Sequence, residues 1–101
     1  MKIVKTQSRW KLHRFGFPVA LRFNDYHEFM NSKVEQWCKQ HLGRETWMWD
    51  EKNRSGEWTT HWGSPTSQGR PYFVGFRDPG NITMLTLALS LELEKSVDIF
   101  G

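Results

Sequence analysis

The chain is poor in several things at once, and each shortage removes a class of protein. It has one cysteine, Cys38, so no internal disulfide can form, and a reducing compartment is expected. No apolar run approaches the roughly 18 residues that cross a bilayer. The opening Met1-Lys2-Ile3-Val4-Lys5 lacks the apolar core of a secretory signal. A cytoplasmic protein without membrane contact is therefore expected, intracellular in a host cell if it is phage-encoded. Glycine-rich phosphate loops of either common pattern are missing, as is a Gly-x-Ser-x-Gly nucleophile elbow. No acid occurs before Asp25, whereas Lys2, Lys5, Arg9, Lys11, Arg14 and Arg22 precede it.

Aromatic side chains fill the gap. Only 38% of the 101 residues are hydrophobic, yet 15% are aromatic, including six tryptophans. Each buried ring removes about 150–250 Å² from water, so a handful suffices for a small core. Such a composition argues against disorder, and the length fits a single domain spanning residues 1–101. The formal charge is +3 and unevenly spread, because the last seventeen residues carry Glu92, Glu94 and Asp98 against Lys95 alone. A basic amino-terminal element suits a polyanion or an acidic protein surface; a solvated strand face is the plainer alternative.

Periodicity organises the chain. Trp10 and Leu12 alternate with polar neighbours, and Phe15, Phe17, Val19, Leu21 and Phe23 recur at every second position, which predicts strand with a break near His13-Arg14. Pro18 places that strand at an edge or a bend. Asp25-Tyr26-His27-Glu28 has capping-box spacing, and Tyr26, Phe29, Met30, Val34, Trp37, Cys38 and Leu42 form one helical stripe that Gly43 ends. One helix of about eighteen residues is expected there. Thr46–Asp50 and Glu57–Trp62 read as two short strands around a polar turn. Alternation puts Trp47 with Trp49, and Trp58 with Trp62.

Residues 63–71 form a polar loop bounded by glycine and proline, and Tyr72–Phe76 reads as a strand. Two readings of Asp78-Pro79-Gly80-Asn81 compete: a β-turn, or a cap on a short helix running to about Leu85. The helix is favoured because Ile82 and Leu85 would then face inward together. Leu85, Leu87, Leu89, Leu91 and Leu93 alternate as a last strand. The succession describes an α+β domain: a mainly antiparallel sheet with one long helix packed on one face. A ferredoxin-like split βαβ arrangement is one candidate within that class.

Tyr72-Phe73-Val74-Gly75-Phe76-Arg77-Asp78-Pro79, followed by Ile82-Thr83-Met84-Leu85, resembles the closing segment of small uncharacterised accessory proteins of tailed phages. The likeness covers about fifteen residues and contains no catalytic signature. It implies a small accessory protein acting on a host component, and transfers no functional residue.

Little chemistry is expected from the side chains. Cys38 and His41, one turn apart, could present two metal ligands, but zinc needs three or four, and Cys38 sits on the apolar stripe. A catalytic thiolate belongs at an exposed, electropositive helix start, and Cys38 falls near the far end. No enzyme activity, metal or cofactor is expected. Binding is the stronger class. Arg9-Trp10-Lys11-Leu12-His13-Arg14 interleaves rings with cations, and Trp47, Trp49, Trp58 and Trp62 lie near Arg44, Lys52, Arg54 and His61. Stacking rings beside phosphate-tracking cations hold single-stranded nucleic acid, with the sheet face opposite the helix as platform. Arg9, Trp10, Lys11, Arg14, Trp47, Trp49, Trp58, Trp62 and Arg70 are the candidate contacts. The alternatives are recognition of another protein by the same aromatics, a homodimer on the exposed sheet face included, and burial of the hairpin rings as core.

Overall fold

The computed structural model describes residues 1–46 and 56–89. Trp47, Trp49 and the expected strand around them lie outside these residues, as do Leu91, Leu93 and the acidic tail. The chain is an α+β domain built on a four-stranded antiparallel sheet. Its strands are β1 (Lys2–Lys5), β2 (Val19–Phe23), β3 (Trp58–Trp62) and β4 (Tyr72–Phe76), in the order β1-β2-β4-β3. Among the described residues four helices accompany them: α1 (Lys11–Arg14), α2 (Tyr26–Asn31), α3 (Val34–His41) and α4 (Gly80–Leu89). Because β4 is antiparallel to both β2 and β3, the latter two run parallel with β4 between them. That is a split βαβ unit whose crossover is the α2–α3 pair. β1 fills the place beside β2.

Alternation in the strands sends one set of side chains to each face, and both faces are covered. Val19, Leu21 and Phe23 of β2, Tyr72, Val74 and Phe76 of β4, and Trp58 of β3 meet Phe29, Val34, Trp37, Cys38, Ile82 and Leu85 from the helices. On the other face Ala20, Phe73 and Val4 meet Leu12 and Phe17, with Trp10 and Phe15 at the margin. Gly75 makes that approach feasible. A Cβ there would lie 3.0 Å from Leu12 and 3.2 Å from Phe17.

Four expectations are corrected here. Residues 10–14 are not strand. Arg14 and Phe15 donate backbone hydrogen bonds to Trp10 and Lys11, closing one helical turn that lays Leu12 on the sheet. The face expected to be an open platform is thus occupied. Second, β2 is an interior strand; it starts only after Pro18, which lacks the N–H a ladder needs. Pro18 still contributes its carbonyl, which accepts from Thr6 at 3.0 Å.

Third, the long helix is two helices. Asp25 caps the first as expected, accepting from the Glu28 amide at 2.8 Å. The Ser32 hydroxyl then donates to the Phe29 carbonyl at 2.6 Å and accepts from the Val34 amide at 3.2 Å, ending α2 and starting α3. Lys33 takes a left-handed φ of 64° at the joint. The break rotates the stripe, so Met30 and Tyr26 emerge while Phe29, Val34, Trp37 and Cys38 stay inside. Gly43 follows α3 with φ of 81°, as a helix stop requires.

Fourth, 85–89 is helix rather than strand. Asp78 accepts from Gly80 and Asn81, Pro79 accepts from Ile82, and the helix runs on to Leu89. The expected two-residue alternation fails at once: Leu85 is fully buried and Leu87 is 76% exposed. The capped-helix reading of Asp78-Pro79 holds and extends further than its expected end.

Candidate functional site

Four predicted contacts, Trp10, Lys11, Trp62 and Arg70, lie around the carboxyl end of β3. Strand alternation sends His61 to one sheet face and Trp62 to the other. The 63–71 loop then folds back on the strand. Gly63 donates to the Pro71 carbonyl at 2.8 Å, and Thr66 and Gly69 exchange backbone bonds at 2.7 and 3.1 Å. Arg70 is tied to this turn by its Nε, which donates to the Gly63 carbonyl at 2.9 Å.

On the helix face, Trp62 is 43% exposed and stacks on Tyr26 with centroids 5.3 Å apart. Tyr72 meets both rings edge-on, at 4.8 Å from Trp62 and 5.1 Å from Tyr26. The Arg70 guanidinium lies over the Trp62 ring at 5.0 Å, a cation–π arrangement. Tyr26 belongs to the expected helical stripe yet is 41% exposed, because the break in the helix turns the first segment outward.

On the opposite face lies a cavity of about 260 Å³ lined by Trp10, Lys11, Leu12, His61, Gly63, Ser64, Pro71 and Phe73. Trp10 and Phe73 form its aromatic wall, their rings 5.6 Å apart and tilted at 56°. Polar groups come from His61 and Ser64, and positive charge from Lys11; no carboxylate is among these lining residues. Burial, and then the charges of Lys11 and Arg70, lower the His61 pKa below its ordinary 6.5. The imidazole is accordingly neutral at pH 7 and presents one donor and one acceptor.

Trp10, Lys11, Trp62 and Arg70 are thus brought to one strand end, on its two sides. Arg9 and Arg14 are exposed just beside Trp10 and Lys11 in sequence and do not line the cavity. Trp58 is corrected to core: its exposure is 0%, and its indole N–H donates to the Gly43 carbonyl at 2.9 Å. It has no ring face to offer a ligand. His61, Ser64 and Phe73 were not among the candidates. Nothing in their spacing marks them, since the cavity exists only once α1 lies across the sheet.

Cys38 is buried, and its thiol pKa is pushed up to about 12 by that burial and then by the charges of Glu45 and Glu35. It is a protonated core residue at neutral pH. Among the described residues no three His, Cys, Asp or Glu side chains gather as a metal site, and no helix is long and apolar enough to cross a membrane. The chain matches no protein-family model, no curated protein and no solved structure.

Proposed function

We propose that this chain is a non-enzymatic binding module for single-stranded nucleic acid, engaged at the carboxyl end of β3. The supporting observation is that Trp10 with Lys11, and Trp62 with Arg70, flank one strand end on its two sides, the first pair lining a cavity with no acid among its described lining residues. Aromatic faces hold bases and cations hold phosphates without demanding a sequence. Arg9 and Arg14 extend the positive rim from the loop and turn that cover the sheet.

Labelled DNA and RNA oligomers titrated at several salt concentrations test this. Affinity should fall with salt through counterion release. Replacing Arg9, Lys11 and Arg14 together should lower the log–log salt slope by about 2, at roughly 0.7 per phosphate contact on a single strand. Absence of binding to any oligomer at low salt refutes the proposal. The second reading is an accessory protein, of the phage type, that binds and modulates another protein. It draws on the exposed Tyr26–Trp62–Arg70 stack, the residue types that dominate interface hot spots. It predicts association that salt barely affects.

A further inference from the structure

We propose that the cavity between Trp10, Phe73 and His61 receives one nucleobase of the bound strand, swung out of its stack, while Lys11 in its wall holds a phosphate beside it. This rests on the nucleic-acid reading and specifies what its central pocket takes. Three features favour a single base over a longer segment.

The first is size. At about 260 Å³ the cavity falls just under the range of roughly 300–1,000 Å³ that encloses drug-sized ligands. A single heterocycle is the unit that suits it. The second is the distribution of polarity. The indole of Trp10, the ring of Phe73, Leu12 and Pro71 supply apolar and aromatic surface for the faces of a flat ring. His61 and the exposed Ser64 hydroxyl supply polar atoms for its edge. A base has this division, with π faces and a rim of donors and acceptors. A neutral imidazole can serve either kind of rim atom.

The third feature is charge. Lys11 lines the cavity itself, whereas Arg70 lies over Trp62 on the other sheet face. Positive charge thus stands on the α1 side of the mouth. An apolar side chain from a protein partner would use the rings and gain nothing from this cation. A nucleotide uses both.

Amide chemical shifts and tryptophan fluorescence of the full chain test this with mononucleotides. Adenosine and cytidine monophosphates should shift the His61, Gly63 and Ser64 amides and quench emission. Ribose 5-phosphate, inorganic phosphate and N-acetyltryptophanamide should not. Ser64→Phe, which fills the mouth from an exposed position, should weaken mononucleotide binding roughly tenfold or more, the scale of one lost base–aromatic stack, and leave the circular dichroism spectrum unchanged. Trp10→Ala should do the same, and Trp10→Phe should restore most of the binding. If oligomers bind but mononucleotides leave those amides unmoved, the base pocket is overturned and the broader function stands. Ribose 5-phosphate acting as well as a nucleotide overturns it in favour of a bare anion site. Preference for N-acetyltryptophanamide overturns it in favour of a protein side chain. If neither oligomer nor mononucleotide binds, both proposals fall.

Discussion

Trp58 and Trp62 share a strand and a face, yet their surroundings differ completely. Trp58 has helix packing above it and a carbonyl for its N–H, whereas Trp62 sits at the open end with Tyr26, Tyr72 and Arg70. Trp58→Ala should destabilise the fold by about 3–5 kcal/mol, the cost of an emptied aromatic site. Trp62→Ala should cost less than about half of that and act on binding instead. Urea midpoints together with oligomer affinity separate the two effects. His61 provides a second test at this scale. Its folded pKa lies below the unfolded value of about 6.5, so as pH falls past 6.5 the unfolded chain takes up a proton that the folded chain resists. Its contribution is complete above 6.5 and is lost as pH drops toward the folded pKa. Burial is the larger cause, followed by the charges of Lys11 and Arg70. His61→Gln should therefore lose less stability than the parent between about pH 7 and pH 5, read from urea midpoints.

The elements show where local signals suffice. The Asp25 cap, the Gly43 stop, strand 72–76 and the Asp78-Pro79 helix start were all legible, because each is decided by residues within a few positions of one another. Capping needs a short side-chain acceptor, and a left-handed stop favours glycine. The break at Ser32-Lys33 was not legible. Its hydroxyl competes for backbone groups, but serine does this only when packing makes two short helices better than one. The leucine alternation after Asn81 was legible and misleading. Leucine, methionine and alanine are strong helix formers, and a two-residue repeat that includes Thr86 and Ala88 says little about which leucine faces the sheet. Leu85→Ala should cost about 2–5 kcal/mol, and Leu87→Ala should change stability by less than about 0.5 kcal/mol. Comparable losses at the two positions, measured by thermal or urea unfolding, would contradict helix α4.

Across the whole molecule, charge and topology meet. The acid-free stretch before Asp25 contributes β1, α1 and β2, and α1 brings Lys11 over the sheet to the end of β3. The 63–71 loop brings Arg70 to the other side of the same strand end, over Trp62. Residues far apart in the chain thus set rings and cations on both sides of one strand end. If the chain binds nucleic acid as proposed, its salt response belongs to the molecule as a whole. Removing cations from the amino-terminal segment alone should reduce the slope by about 2 and leave the part due to Arg70.

The sequence by itself determined the α+β class, the antiparallel strands at β2, β3 and β4, the capped starts of two helices, and the pairing of Trp58 with Trp62 on one face. These follow from periods of 2 and 3.6 residues and from caps, which are local properties of a chain. Tertiary structure alone decided which tryptophan is core, that Trp10–Arg14 is a turn laid over the sheet, and that His61, Ser64 and Phe73 share a cavity with Trp10. Burial depends on what packs opposite a side chain, and for Trp58 and Trp62 that partner differs between the two ends of one strand.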